Sequence, residues 1–114
     1  MIQLGQEFEL KINQEAMIEG EGLAVTFESV LEDSRCPEGV TCVWSGNAKV
    51  KIRLSKQKQT PGVVILNTNG AHEMRSSSSY LGYEIRLVAL KPYPKVDKPV
   101  QPNEYRATLI VTKK

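Results

Sequence analysis

The sequence predicts an all-β fold: an antiparallel β-sandwich of about eight strands, with Greek-key, Ig-like connectivity or partial closure into a barrel. Three observations carry that prediction. Apolar and polar residues alternate with period two through most of the chain, as half-buried strands require, and no stretch repeats with the period of a helix. The alternating runs are short, and Gly, Asn and Pro residues punctuate them. The chain has 114 residues, 40% of them hydrophobic, which suits one domain over residues 1–114 with no internal repeat or dividing linker. A chain of this size buries about 65% of the surface its unfolded form exposes, enough for a core without metal clusters.

Taken in order, Phe8, Leu10 and Ile12 alternate with Glu7, Glu9 and Lys11 in a first strand. Residues 16–19 form a short second strand, and Gly20-Glu21-Gly22 supplies the hairpin turn after it. Leu23, Val25 and Phe27 then face one side, and Ala24, Thr26 and Glu28 the other. After Ser29-Val30-Leu31 the alternation breaks into Glu32-Asp33-Ser34-Arg35, a polar approach to two cysteines. From Cys42 onward a long strand reads Cys42, Trp44, Gly46, Ala48, Val50, Ile52 and Leu54 on one face, with Gly46 the expected kink. Residues 55–62 form a polar loop closed by Pro61-Gly62, and Val63-Val64-Ile65-Leu66 reads as a strand covered on both faces.

Asn69-Gly70 signals a hairpin into residues 71–75, and residues 76–79 read as a flexible tip. Tyr83, Ile85, Leu87 and Ala89 alternate with Glu84, Arg86 and Val88, and Pro92-Tyr93-Pro94 ends that strand. Four prolines between residues 92 and 102 keep the connection extended. Tyr105, Ala107, Leu109 and Val111 make the last strand, opposite Arg106, Thr108 and Thr112.

A formal net charge of +2 exerts no global pull on nucleic acid or on an acidic membrane. The total hides a division. Residues 1–40 hold nine acids and two bases, and residues 41–114 hold thirteen bases and four acids. Lys49, Lys51 and Arg53 share one strand face as a basic ridge, which repels itself unless acids lie opposite. The expected acids are Glu7 and Glu9, or Glu28 beside Thr26, which would make the ridge a solvated cross-strand ladder. The alternative is an anion-binding surface. Single-strand nucleic-acid binders interleave such bases with stacking aromatics. Trp44 has the opposite parity, so no nucleic-acid partner is expected.

Cys36 and Cys42 enclose a turn-rich segment that brings two sulfurs together. A disulfide here stabilises by roughly 2 kcal/mol on the chain-entropy estimate if it forms without strain. Buried free thiols are the alternative. Metal or redox chemistry finds less support, because there is no second cysteine pair for zinc and no C-x-x-C. A disulfide implies an oxidising compartment, so the expected location is periplasmic, secreted or lipid-anchored. Met1 to Gly5 lack the basic and apolar regions of a signal peptide, so any export signal is expected to lie outside this chain. No apolar run reaches the ~18 residues of a membrane helix, so no transmembrane segment is expected.

The stretch Asp33-Ser34-Arg35-Cys36-Pro37, continued by Cys42-Val43-Trp44-Ser45-Gly46-Asn47-Ala48, resembles a D-x-R-C-P…C-x-W-x-G-x-A signature. That signature occurs in small, poorly characterised bacterial proteins of exported or lipoprotein type. Residues 83–89 followed by Pro92-Tyr93-Pro94, with Tyr105 in the final strand, are similar to features that recur in the same proteins. The resemblance spans the chain from residue 23 onward and implies export and an all-β domain. It implies no particular activity and no catalytic residue.

Arg35 is expected to pair with Asp33 or Glu32, and Trp44 to pack on the disulfide. Such a loop nails one strand to the core. A second reading makes Arg35, Pro37, Glu38, Val40 and Trp44 a preorganised recognition loop, in which rigidity lowers the entropy cost of binding. His72 and Met74 share a strand face and, together with thiolates, are the candidate copper ligands. A blue-copper site needs a second His, so no metal and no cofactor is expected. Nucleophilic catalysis needs a base and an orienting group beside the hydroxyl. His72 is the sole imidazole, no phosphate-binding Gly-rich loop or H-E-x-x-H motif is present, and no carboxylate pair stands out. The sequence therefore points to a noncatalytic exported binding or interaction module whose partner is a protein or envelope component. A small-ligand or copper-type carrier is the alternative.

Overall fold

The computed structural model describes residues 2–36, 46–68, 76–93 and 100–113. In chain order these form β1 (Glu7–Lys11), β2 (Glu15–Ile18), β3 (Leu23–Asp33), β4 (Ala48–Lys56), β5 (Gly62–Asn67), β6 (Ser77–Tyr80), β7 (Tyr83–Lys91) and β8 (Arg106–Lys113), with a 3-10 turn at Pro102–Glu104. The strands make two antiparallel four-stranded sheets, ordered β1-β8-β7-β6 and β2-β3-β4-β5. The antiparallel sandwich expected from the sequence forms, and it does not close into a barrel.

Its connectivity is simpler than expected. A Greek key returns a fourth strand to lie beside the first of a consecutive set. Here β2 to β5 run as one meander and β6 to β8 as another. The start of the chain then pairs with its end, Glu7 opposite Ile110 and Lys11 opposite Arg106. This up-and-down order replaces the Greek-key, Ig-like one. The short links at residues 19–22, 57–61 and 81–82 make hairpins of β2 with β3, β4 with β5 and β6 with β7, and the three-residue link 12–14 crosses from one sheet to the other.

Period-two alternation sends one face of each long strand inward. Phe8 and Leu10, Leu23, Val25 and Phe27, and Val50, Ile52 and Leu54 form the core with Tyr83, Ile85, Leu87, Ala107, Leu109 and Val111. Most of these side chains are completely buried. Fully burying one such side chain is worth about 1.5–3 kcal/mol, so this inward set is the main driving force for the fold.

Five local expectations need correction. β3 does not break after Leu31 but runs to Asp33, because Glu32 pairs with Lys49 and Asp33 with Ala48; two register shifts absorb the irregularity. The strand expected from Cys42 onward is interrupted at Gly46 and Asn47, where Gly46 adopts φ +74°, so β4 starts at Ala48; residues 42–45 lie outside the described residues. β5 is covered on one face only: Val64 and Leu66 are buried, whereas Val63 and Ile65 are exposed. The expected flexible tip is largely strand β6, held by pairs such as Ser77 with Arg86 and Tyr80 with Tyr83. In β7 a bulge between Leu87 and Ala89 shifts the parity, so Leu90 rather than Ala89 enters the core. The hairpin expected at Asn69-Gly70 lies outside the described residues.

Candidate functional site: the loop end of the sandwich

The antiparallel order places the links of residues 19–22, 57–61 and 81–82 at one end. The connections of residues 34–47, 68–76 and 92–105 join strands that open at the other. Long loops on a rigid scaffold are where binding function concentrates, so the base of this end is the candidate site.

That base is tied together by hydrogen bonds. The Ser34 N–H donates to the Asn47 carbonyl at 2.6 Å and the Ser34 hydroxyl donates to the same oxygen at 2.8 Å, clasping the chain where it leaves β3 and where it returns to β4. Asn47 Nδ2 donates to Asn67 Oδ1 at 2.9 Å, and the Ala48 N–H donates to Thr68 Oγ1 at 3.0 Å, which links this clasp to the end of β5. Gly46 fits where nothing larger can. A Cβ there would lie 2.7 Å from the Ser34 carbonyl oxygen, 2.8 Å from Arg35 Cα and 2.8 Å from the Cys36 nitrogen.

Arg35 extends the clasp to the second sheet. Its guanidinium forms a bidentate pair with Asp33, Nε to Oδ1 at 2.8 Å and Nη2 to Oδ2 at 2.7 Å. Its remaining donors reach the carbonyls of Leu90 at 2.7 Å and Pro92 at 3.0 Å. The Tyr105 hydroxyl donates to Asp33 Oδ2 at 2.8 Å, and the Tyr93 ring lies 5.1 Å from the guanidinium carbon. Planar, bidentate recognition of this kind is a property of arginine that lysine does not share. The result is a small ionic core joining β3, the end of β7 and the start of β8.

Burial alone would raise the Asp33 pKa. The hydrogen bonds from Arg35 and Tyr105 and the Arg35 charge together outweigh it and hold the carboxyl below its ordinary value. Burial likewise opposes the charge on Arg35, yet its bond to Asp33 and the attraction of that carboxylate raise its pKa on balance. Tyr105 is pushed up to about 12, by burial first and then by the hydrogen bond it donates to Asp33. Its folded pKa therefore lies above the unfolded value of about 10, and the folded state holds the hydroxyl proton more tightly. That contribution is fully present below about pH 10 and is lost as pH rises toward about 12. Urea midpoints measured from pH 8 to 11.5 are expected to fall more steeply for the natural chain than for Tyr105→Phe. Parallel curves would show that Tyr105 does not contribute to the alkaline limit.

Among the residues the sequence singled out, Arg35 pairs with Asp33 as expected. It is 6% exposed, however, so it braces the loop base and offers no outward contact. Pro37, Glu38, Val40, Cys42 and Trp44 lie outside the described residues, as do His72 and Met74. The basic ridge is met by N-terminal acids: Glu32 lies 3.6 Å from Lys49, and Glu28 lies 3.7 Å from Lys51 and 3.3 Å from Arg53. Glu7 and Glu9, the other expected partners, belong to the opposite sheet. A basic ridge matched by carboxylates offers little free charge to an anion.

A second polar cluster marks the short-link end. The Tyr83 hydroxyl donates to Glu21 Oε1 at 2.6 Å and accepts from Lys56 Nζ at 2.7 Å, while Lys113 approaches Glu21 at 3.4 Å. The bond from Tyr83 is the main cause of the lowered pKa of Glu21, ahead of the Lys113 contribution. Sequence reasoning did not connect Tyr105, Tyr93 or Tyr83 with these charges. The only signal was that aromatic residues occur where strands begin or end, which names no partner. Comparison with family models, with curated proteins and with solved structures finds no match for this chain.

Proposed function

We propose that this chain is a noncatalytic, exported bacterial binding module, held at its loop base by a Cys36–Cys42 disulfide and by the Asp33–Arg35–Tyr105 cluster. The observation that carries the reading is the contrast between the ends. Two of the three long connections start from strands braced by a buried ion pair and the third from β5, tied by the Asn47–Asn67 bond, whereas the other end has only short links. Bracing the loop base lowers the entropy lost when a loop meets a partner, and this is the economy that a binding module needs. For the disulfide, the support is that no cysteine among the described residues is free. Cys36 also directly follows the braced Arg35. The resemblance of residues 33–48 to exported bacterial proteins supports the compartment. Among the described residues no helix is long and apolar enough to cross a membrane.

The test is capture of components from bacterial envelope extracts on the immobilised domain. Combined Pro37→Ala, Glu38→Ala and Val40→Ala substitutions, with both cysteines kept, are expected to abolish a capture that Lys58→Ala at the opposite end preserves. Equal capture by all three proteins would overturn the loop-end reading. A thiol count in denaturant without reductant, on protein from its native compartment, is expected to find none; two reactive thiols would overturn the disulfide and export together.

A further inference from the structure

The outer face of the β2-β3-β4-β5 sheet carries a hollow away from the loop end. Its outward residues stand in rows set by the strand register: Glu15 beside Thr26 and Thr26 beside Arg53 in one row, Ala24 beside Ser55 in the next. The short side chains of Thr26 and Ser55 form its floor. The longer Glu15 and Arg53 stand on opposite sides, and Pro61, just before β5, closes a third. The space is about 510 Å³, within the range of roughly 300–1,000 Å³ that small-ligand sites occupy. It opens over β3, two strands inside the β5 edge and on the half of the sheet nearer the short links.

The polar groups around the hollow have bonding capacity to spare. Among the described residues Glu15 has no ion-pair partner, and the hydroxyls of Thr26 and Ser55 make no hydrogen bond. Arg53 uses one nitrogen, Nη2, to reach Glu28 at 3.3 Å. A guanidinium has five N–H donors in a fixed fork, so Nε and Nη1 remain for a ligand. Each of these groups is solvated when the hollow is empty. Their convergence lets one ligand replace several waters at once.

We propose that this hollow binds the zwitterion of a free amino acid, with the ligand's ammonium on Glu15, its carboxylate on Arg53, and the hydroxyls of Thr26 and Ser55 beneath it. The spacing carries the assignment. Glu15 and Arg53 lie on strands two apart, on either side of Thr26. Their α-carbons are therefore roughly 10 Å apart, and a charge-assisted hydrogen bond of about 2.8 Å at each end leaves roughly 4 Å between the ligand's own charges. That is the reach of an amino acid whose ammonium and carboxylate are separated by one or two carbons.

A ligand with both charges suits the hollow better than one with a single charge. A simple anion at Arg53 meets the carboxylates of Glu15 and Glu28, and a simple cation at Glu15 meets Arg53 and, beyond it, Lys51. A zwitterion answers both sides and adds no net charge. The lining holds no aromatic face on which a sugar ring or a base could stack. Of the basic ridge, Arg53 alone lines the hollow. The site shares no residue with the loop base and stands independently of the loop-end binding reading.

Titration of the isotope-labelled chain with glycine, followed by its amide NMR shifts, is the test. The Thr26, Arg53 and Ser55 amides are expected to shift and saturate at millimolar glycine. Glycinamide, which lacks the carboxylate, and N-acetylglycine, which lacks the ammonium, are expected to leave them in place at the same ionic strength. Glu15→Gln and Arg53→Gln are each expected to weaken glycine binding at least ~10-fold, the loss of one charge-assisted hydrogen bond. Lys49→Gln, on the same face but outside the hollow, is expected to leave it unchanged. Glu15 and Arg53 are both exposed, and a dispersed amide spectrum shows that each variant folds. No saturable shift at millimolar glycine, equal shifts with glycinamide or N-acetylglycine, or binding that survives both substitutions would each overturn the proposal.

Discussion

Replacing Arg35 by methionine is expected to cost about 3–5 kcal/mol of folding stability, because it leaves a carboxylate inside the protein without its counter-charge. The Arg35 side chain is 4% exposed and that of Asp33 13%. After the substitution, Asp33 keeps the hydrogen bond from Tyr105 but loses both guanidinium bonds, and the carbonyls of Leu90 and Pro92 lose their donor. Domains of this size have only about 5–15 kcal/mol in total, so the urea midpoint should fall far enough to be unmistakable.

The pair does not make an equally large net contribution, since each partner lost hydration on burial. Asp33→Asn combined with Arg35→Met is therefore expected to be less destabilising than Arg35→Met alone, a non-additivity that a double-mutant cycle measures directly. The acid side follows from the same pair. The folded carboxyl is held below its unfolded pKa of about 4, so its contribution is present above that pH and disappears as pH falls through the folded value. If Arg35→Met lowers stability by less than about 1 kcal/mol, the range of an exposed ion pair, the cluster is not the brace described above.

Gly46→Ala is expected to be nearly as damaging, although it adds one methyl group. The left-handed backbone costs a non-glycine residue roughly 1–2 kcal/mol. The added Cβ would also meet three backbone atoms at 2.7–2.8 Å. Backbone cannot rotate aside as a side chain can, so overpacking adds about 1–3 kcal/mol. Gly82→Ala provides the comparison, for Gly82 has φ +84° with nothing within 4 Å of a Cβ. It should show the conformational cost alone, and equal midpoints for the two variants would remove the close-approach argument. Because Gly46 lies against Ser34, Arg35 and Cys36, its substitution should also disturb the loop base and weaken any partner held there.

The ionic core shows why part of the site was legible and part was not. Asp33 and Arg35 are two residues apart, and opposite charges at that spacing on an extended chain invite the pairing that forms. Tyr105 approaches Asp33 from 72 residues away, and the Leu90 carbonyl reaches Arg35 across 55. No local pattern encodes contacts of that range. The basic ridge is an intermediate case: its need for acids followed from its own spacing, whereas the choice of Glu28 and Glu32 over Glu7 and Glu9 followed from β3 being the neighbour of β4.

The sequence by itself determined the class of fold and most of the inward faces. An alternating strand has only two sides, and a residue such as Val25, Ile52 or Leu109 takes the dry one for reasons contained in its immediate neighbours. Only the tertiary structure decided the up-and-down order, the pairing of the chain's start with its end, the bulge that brings Leu90 inward and the joining of Tyr105 to Asp33. It also left β5 half uncovered where its apolar run had suggested cover on both faces. Each of these depends on which strand lies beside which. Strand order is settled by closure of the whole core, which no short window of sequence contains.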